Sequence, residues 1–355
     1  MRKLRLVGLT VGLCVLAAAF SGGGAAVTPP GTVVMSNLDN PRHLAFGPEG
    51  GLYVAEAGHG GAAPCIFIRG ETQCAGPSGA VSRLWHGVQS RVVTGLPSYA
   101  GPSGNGATGP PAVSFHGRGN GYVVLGLGGE AIPPSAFRAA MGNGFGRTVR
   151  FKPNGHWSYV DDIAGYEEAN NPDGGPLDSN PYDVLAEAGG RVVIDAGGND
   201  LVRVKANGSI STVAVFPSRS HGRNTDSSPT AVTRGPDGAY YVGELSGAPF
   251  TPDQAHVYRV VPGQPPEEYG PTFSFIIDIA WGPDGNLYVL EFASGPDLSG
   301  PGTLWRLESD GTKTAVVTDL IAPGGVVFGR DGAFYISNKS VLAGAGEVLR
   351  FDPST

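Results

Sequence analysis

The stretch Ile279–Val289, with the sequence IAWGPDGNLYV, decides the fold of this chain of 355 residues. It consists of two short apolar runs joined by a Gly-Pro-Asp-Gly turn, and glycine-bearing turns of this length are typical of β-hairpins. The pattern returns in clear form at Leu44–Val54, Val232–Val242 and Val326–Ile336. Looser copies cover Val113–Leu125 and Val184–Ile194. The sequence therefore predicts six hairpins of one kind.

Downstream of each hairpin, an arginine lies inside a further apolar run. These residues are Arg83, Arg150, Arg203, Arg259, Arg306 and Arg350. Most of the runs precede a turn and another strand-like segment. Four strands in each of six repeating units predict an all-β fold, a six-bladed β-propeller with four-stranded blades.

The two ends of the chain complete this pattern. The sixth unit stops at Asp352 without an outer strand, whereas Thr32–Leu38 resembles the outer strands of the other units. We expect the N- and C-terminal segments to pair in one blade, which closes the ring and removes exposed strand edges.

The first residues read as a leader. Basic residues at Arg2, Lys3 and Arg5 precede the apolar run Leu6–Phe20 and the small residues Ser21–Ala26. This order predicts a signal peptide over residues 1–26 and a propeller domain over 27–355. No later segment has eighteen consecutive apolar residues, so we expect a secreted protein, extracellular or periplasmic, whose mature chain does not insert into a membrane.

Export makes Cys65 and Cys74 a predicted disulfide, because they form an even pair in an oxidising compartment. The alternative is a thiol metal site, for which the neighbouring sequence offers no further ligands.

The composition has 58 glycines, 30 prolines and a net charge of −7. It disfavours long helices and excludes general binding of nucleic acid backbones. We expect a monomer, and a single helix around residues 136–142.

One face of the predicted propeller has short turns, and the other carries nearly all the long loops. Binding and catalysis concentrate on such loops, so we expect the partner, a small molecule or a protein, on that face.

Polar side chains at strand starts and ends should meet there around the channel mouth. The candidate ligand-binding residues from this reasoning are His43, Glu56, Asn180, Asp183, Asp195, Glu244, Asp278 and Glu291. Converging carboxylates would make Ca²⁺ the natural cation. Alternatively, each strand-end acid accepts backbone N–H groups of the next turn. The acidic segment 166–183 reads either as a lid over the mouth or as a linker between blades.

The repeat resembles that of NHL-type propellers. Five more specific motifs resemble the ScyD/ScyE family of exported propellers. They are Glu168–Pro176, Asp178–Tyr182, Asp195–Asp200, Tyr241–Leu245 and Ile276–Ala280. Asn199 lies in the motif Asp195–Asp200. The resemblance adds Asn199 to the candidate ligand-binding residues. It also implies a His-Asp pair where this chain has Pro111 and Ala112, which indicates loss of any activity that depends on the pair. The metal ligands of related calcium-dependent gluconolactonases would correspond to Arg42, Tyr182, Thr230, Ile277 and Gly324, which is not a ligand set.

Two functions follow as hypotheses. The first is a secreted binding or scaffold propeller with its ligand at the channel mouth. The second is an extracellular enzyme acting on a small molecule, either a calcium-dependent lactonase or esterase-like hydrolase, or a catalyst coupling aromatic precursors of a secondary metabolite.

Overall fold

The computed structural model describes residues 31–117, 120–128, 132–220 and 224–352, and the predicted signal peptide lies outside these ranges. The described chain forms six four-stranded antiparallel blades, which confirms the predicted β-propeller. Strand β1 (Thr32–Leu38) comes first in sequence but belongs to the last blade.

The strands follow one another blade by blade. Blade 1 contains β2 (Pro41–Phe46), β3 (Leu52–Glu56), β5 (Glu71–Trp85) and β6 (Val88–Ala100), with β4 (Cys65–Ile68) paired to an extension of β5. Blade 2 contains β7 (Val113–Phe115), β8 (Gly121–Val124), β9 (Arg147–Phe151) and β10 (Trp157–Asp162). Blade 3 contains β11 (Pro181–Glu187), β12 (Gly190–Asp195), β13 (Asp200–Lys205) and β14 (Ile210–Val215). The pair β15 (Arg219–Ser220) and β16 (Asn224–Thr225) precedes blade 4.

The second half repeats the arrangement. Blade 4 contains β17 (Pro229–Arg234), β18 (Tyr240–Glu244), β19 (Ala255–Val260) and β20 (Glu267–Phe273). Blade 5 contains β21 (Ile276–Trp281), β22 (Leu287–Glu291), β23 (Gly302–Leu307) and β24 (Lys313–Leu320), with a short 3₁₀ turn at Pro296–Leu298. Blade 6 contains β25 (Gly325–Phe328), β26 (Phe334–Asn338) and β27 (Gly346–Phe351), and β1 is its outer strand.

Closure of the ring is as predicted. Strand β1 pairs antiparallel with β27, so that Val33 lies opposite Leu349 and Leu38 opposite Gly346. The hydrophobic core is distributed in the same cyclic way, because one cluster of buried side chains fills each of the six interfaces between neighbouring blades. Each blade is therefore held by its two neighbours.

The repeated hairpin turn is fixed by its acidic residue. In blade 5, Asp284 accepts hydrogen bonds from the backbone of Asn286 at 3.2 Å and from the Tyr288 hydroxyl at 3.1 Å. Gly285 has φ +79°, a backbone conformation that disfavours other residues. The recurrent strand arginine reaches the same turn, since Arg306 lies 4.0 Å from Asp284. In blade 5 the repeated motif is thus a surface network on the short-turn face.

The described parts of the long loops contain two α-helices. Helix α1 (Pro134–Met141) confirms the helix expected near residues 136–142. Helix α2 (Ile163–Asn170) was not predicted, and it converts the start of the acidic segment from a loop into a helix capped by Asp162, which accepts a hydrogen bond from Gly165 N. The predicted disulfide between Cys65 and Cys74 is present. Among the described residues, no helix is long and apolar enough to cross a membrane.

Closure generates a prediction about stability. Leu38 on β1 is fully buried between blades 6 and 1, and Leu38→Ala should lower the free energy of unfolding by about 2–5 kcal/mol through lost burial and a cavity. The matched control is Val33→Ala on the same strand, because Val33 is 49% exposed and should cost below about 1 kcal/mol. Urea unfolding of both variants measures the difference, and equal losses would contradict closure through a packed β1.

Candidate functional site

The inner strands of the six blades surround the central channel with two layers of side chains. One residue at the entrance of each inner strand belongs to the floor layer. Arg42, Tyr182, Thr230 and Ile277 directly follow the first residue of their strands, and Pro111 and Gly324 lie just before β7 and β25. The next residues form the buried layer: His43, Ala112, Asp183, Ala231, Asp278 and Gly325. In blades 1, 3, 4 and 5, the inner strand has a register irregularity at these positions.

His43 lies at the centre of the buried layer, 3% exposed, with an acceptor at each ring nitrogen. Its Nδ1 is 3.3 Å from Asp183 Oδ1, and its Nε2 is 3.0 Å from the carbonyl oxygen of Ile277. A neutral imidazole has one N–H and could satisfy only one acceptor, whereas the imidazolium satisfies both. Burial alone would lower the pKa of His43, but Asp278 and Asp183 outweigh it and raise this pKa to about 9. His43 is therefore a buried cation.

Each aspartate of the buried layer joins two blades. Asp183 accepts hydrogen bonds from Val184 N at 2.7 Å and, across the blade boundary, from Val232 N at 2.8 Å. Asp278 does the same with Ile279 N and with Val326 N of blade 6, both at 2.8 Å. Burial raises the pKa of Asp278 to about 6, with His43 opposing the rise and Asp183 adding to it.

The intervening blades place small residues in this layer. A Cβ atom on Gly325 would lie 2.7 Å from the Cα atom of His43, so the close approach requires glycine there. Ala112 and Ala231 occupy the corresponding places in blades 2 and 4 and are fully buried. Histidine and two aspartates thus alternate with small side chains around the ring.

This trio has the composition of a metal site but not its chemistry. One ligand atom from each of His43, Asp183 and Asp278 lies within 4.8 Å of the others. However, both nitrogens of His43 already face acceptors, and every carboxylate oxygen of the pair accepts a backbone N–H. A histidine binds a metal only as a neutral imidazole with a free nitrogen, and His43 has neither nitrogen free in this arrangement. These three residues do not fit a resident metal. We call the arrangement, in which His43 is held between Asp183 and Asp278, the ionic lock.

The structure keeps the strand-end acids apart from this lock. Glu56 accepts hydrogen bonds from Asp39 N at 2.7 Å and from the Ser82 hydroxyl at 2.6 Å. Glu244 accepts from the Ser227 hydroxyl and from His256 N, and Glu291 accepts from Ser274 N. Each acid ties the loop that enters its own blade.

The remaining expected residues lie in blade 3 and its loops. Asp195 accepts hydrogen bonds from Asn180 N at 2.6 Å and from the Ser179 hydroxyl at 2.5 Å. Asn199 accepts from Ser228 N at 3.0 Å and therefore links blades 3 and 4. Of the expected ligand-binding residues, Asn180 is the one that lines the cavity on the long-loop face.

A cavity of about 580 Å³ opens on the long-loop face above the floor layer. Its lining is mainly apolar, and the larger apolar residues are Pro111, Leu245, Phe250, Ile277, Phe292, Leu298 and Val341. The polar floor consists of Arg42, Tyr182 and Thr230. Sequence reasoning left these three positions out of the candidate ligand-binding residues, although their place after the start of an inner strand was the available signal.

Arg42 is the one basic residue of the floor layer. Its guanidinium donates to the carbonyl oxygen of Ala107 at 3.0 Å, and no described carboxylate forms an ion pair with it. Tyr182 packs edge-on against His43 with ring centroids 5.6 Å apart, and burial raises the pKa of its hydroxyl. The floor therefore offers a cation and a neutral phenol beneath apolar walls.

Comparison with solved structures supports the fold. A Thermus thermophilus protein assigned as a glucose dehydrogenase is 18% identical with a TM-score of 0.54, over 91% of this chain and 99% of its own. Virginiamycin B lyase from Staphylococcus aureus is 15% identical with a TM-score of 0.52, over 91% and 98%. A protein assigned as a gluconolactonase is 12% identical with a TM-score of 0.53, over 91% and 92%. No protein-family model and no curated protein matches the chain. These neighbours have six-bladed propellers, and at such identities the likeness shows the fold alone.

The ionic lock generates a prediction about pH. Because the folded pKa of His43 lies above its ordinary value of 6.5, the stability that its charge contributes is fully present below pH 6.5 and is lost as pH rises through about 9. The stability advantage of the wild-type chain over His43→Gln should fall by roughly 1–3 kcal/mol across this range, since one pKa unit corresponds to about 1.4 kcal/mol.

Urea unfolding at a series of pH values measures that advantage. His59→Gln is the matched control, because the His59 side chain is 53% exposed beside Asp39, and we expect little change with pH. A constant advantage of wild type over His43→Gln would show that His43 is not charged in the folded protein.

Proposed function

We propose that this chain is an exported binding propeller of the ScyD/ScyE type, and that a small molecule with an apolar body and an anionic group occupies the cavity above the floor layer. The observation that carries the proposal is the guanidinium of Arg42, which has no described carboxylate partner, at the base of a mainly apolar cavity. The cavity volume of about 580 Å³ is within the range typical of small-molecule sites.

The two ends of the cavity differ in polarity, and this difference sets the orientation of the proposed ligand. Phe250 and Leu298 border it on the loop side, and Phe292 and Leu245 extend the apolar wall. An apolar body gains free energy by leaving water for this surface. At the floor, Arg42 can donate its remaining N–H groups, which matches a carboxylate or a similarly planar anion.

Binding is favoured over catalysis by the side chains that are present. The described cavity lining contains no histidine or cysteine. His43 lies one layer below with both nitrogens engaged, so it cannot serve as a general base without breaking the ionic lock. The His-Asp pair implied by the family resemblance is replaced by Pro111 and Ala112.

One observation favours the enzymatic alternative, an extracellular enzyme acting on a small molecule. Asp226 borders the cavity, and burial together with the charge of Asp173 raises the pKa of its carboxyl. A carboxyl with a raised pKa is a suitable proton donor near neutral pH. In this alternative, the same ligand would bind above Arg42 and would be converted at the wall that carries Asp226.

The proposal is tested with 1-naphthoate and its neutral counterpart 1-naphthamide, by isothermal titration calorimetry. The carboxylate should bind the wild-type chain more tightly than the amide, and Arg42→Met should weaken the carboxylate by more than about tenfold while affecting the amide little, because a charge-assisted hydrogen bond is lost. The matched control is Arg150→Met on β9, an exposed arginine outside the cavity, which should leave both affinities unchanged.

Equal affinities for the two probes, no saturable binding of either, or an unchanged affinity in Arg42→Met would contradict the proposed ligand class. Mass spectrometry of the probes and of their methyl and lactone analogues after long incubation addresses the enzymatic alternative. Turnover that Asp226→Asn abolishes would replace the binding function with a catalytic one.

A further inference from the structure

A second group of acids lies outside the ionic lock, where helix α2 and its following loop meet the β12–β13 hairpin of blade 3. We call Glu167, Asp173, Asp195 and Asp200 the acidic cluster. Asp195 and Asp200 lie opposite each other at the end of that hairpin. Gly198 packs between the other members, because a Cβ atom on it would lie 2.9 Å from Glu167 Oε2 and 3.5 Å from Asp195 Cγ.

Two members of the cluster accept hydrogen bonds at both carboxylate oxygens. Asp195 accepts from the Ser179 hydroxyl and from three backbone N–H groups. Asp173 accepts from Gly175 N at 2.8 Å and from the Asn199 side chain at 2.9 Å. These bonds fix the loop and bring two negative charges to it.

The other two members lack such partners. Asp200 is 1% exposed, and both of its carboxylate oxygens are buried without a hydrogen-bond partner among the described residues. Glu167 is 2% exposed, and its Oε1 is in the same situation. The amide oxygen of Asn171, one helical turn after Glu167, is also buried and unpartnered within the described chain. A buried polar atom without a hydrogen-bond partner raises the free energy of the folded state. Buried carboxylate oxygens without partners therefore imply a missing partner.

No described basic side chain supplies that partner. Glu167, Asp173, Asp195 and Asp200 form no ion pair with a described lysine, arginine or histidine. The contrast with adjacent acids is direct, because buried Asp161 pairs with Arg191 and Asp162 pairs with Arg138 at 2.5 Å. Basic side chains of the described chain therefore pair with the acids of the preceding strand but not with those of this cluster.

We propose that the acidic cluster binds one Ca²⁺ ion, with the carboxylates of Glu167 and Asp200 as its protein anchors. Ca²⁺ accepts six to eight oxygen ligands, including carboxylates, amide and backbone carbonyls and water. The cluster offers oxygen and neither imidazole nor thiolate, which disfavours zinc. Asp173 and Asp195 add negative charge, and Asn171 supplies a further oxygen on the same loop.

The electrostatics of the cation-free chain agree with this assignment. Burial, with the charges of Asp195, Asp173 and Asp178, raises the pKa of Glu167 to about 8. Burial, with the charges of Asp195, Glu167 and Asp173, raises the pKa of Asp200 well above its usual range. Without a cation the two carboxyls are driven towards protonation, and a divalent ion reverses this by favouring the ionised forms.

The site is also placed to act on the cavity. Ala196 and Gly197, which directly follow Asp195, border the cavity, as does Asp178. A bound cation would fix the loop that forms this wall. The inference stands independently of the ligand proposed for the cavity, since it rests on a different group of residues.

The experiment uses the chelator-treated full chain, with Ca²⁺ and Mg²⁺ added separately, and it measures binding by calorimetry and the midpoint of thermal unfolding. Wild type should bind close to one equivalent of Ca²⁺, and its unfolding midpoint should rise by several degrees, because a ligand of the folded state stabilises it. Mg²⁺ should give a smaller shift.

The double variant Glu167→Gln/Asp200→Asn should lose the Ca²⁺ response, with affinity weakened more than about tenfold. In chelator it should unfold at or above the wild-type midpoint, because two uncompensated buried acids are removed. The matched control Glu267→Gln/Asp310→Asn carries the same charge change at exposed positions and should keep the full response.

Three results would overturn the proposal. They are no Ca²⁺ binding by wild type, a full Ca²⁺ response in the Glu167→Gln/Asp200→Asn variant, or a stabilisation that follows acidification alone and is indifferent to Ca²⁺. The last result would mean that the two carboxyls are simply held protonated. None of these outcomes depends on binding of naphthoate, so the two proposals fail separately.

Discussion

A blade of this propeller can bury its two apolar faces only against the blades on either side, and the rest of the structure depends on this constraint. Six interfaces, each filled by its own cluster of side chains, satisfy every blade only when the ring is closed. Closure is made by main-chain hydrogen bonds between β1 and β27, the two ends of the described chain. Because the ring is closed, the inner strands converge and a channel with two layers of side chains results.

Convergence brings charged groups into a space from which water is largely removed. In the ionic lock, the charge of the buried imidazolium is balanced by two carboxylates. Each carboxylate also accepts a hydrogen bond from a backbone N–H of the next blade. Buried ion pairs contribute less to stability than their Coulomb attraction suggests, because desolvation opposes it. Their value here is geometric, since the lock fixes the relative positions of blades 1, 3 and 5 and of their neighbours. The floor layer above it is thereby held in place, with Arg42 facing the cavity.

The lock and the acidic cluster illustrate two treatments of buried acids in one chain. In the lock, every polar side-chain atom has a partner supplied by the protein. In the cluster, Asp200 and Glu167 keep oxygens without described partners although they are equally buried. Residue types alone would rank the histidine-containing trio as the better metal site. The partners of each atom reverse that order.

The repeat of IAWGPDGNLYV determined the fold by itself, because a hairpin turn and alternating apolar residues are local properties and six copies leave few architectures that can bury them. The Cys65–Cys74 pair and helix α1 were likewise predictable, since each depends on neighbours in sequence. Helix α2 was not, because its eight residues carry little periodicity and its stability comes from burial of Ile163 and Ala164 against other elements.

The candidate site was determined only in part. The sequence identified His43, Asp183 and Asp278 as inner-strand residues near the channel, but it did not distinguish a ligand from a structural cation, because that depends on which acceptors reach the two ring nitrogens. Those acceptors are Asp183 and the carbonyl of Ile277, which lie 140 and 234 positions away in the chain. The role of Arg42 and the lack of partners around Asp200 were likewise decided by tertiary structure, since hydrogen-bond satisfaction and burial are set by residues that meet only when the ring closes.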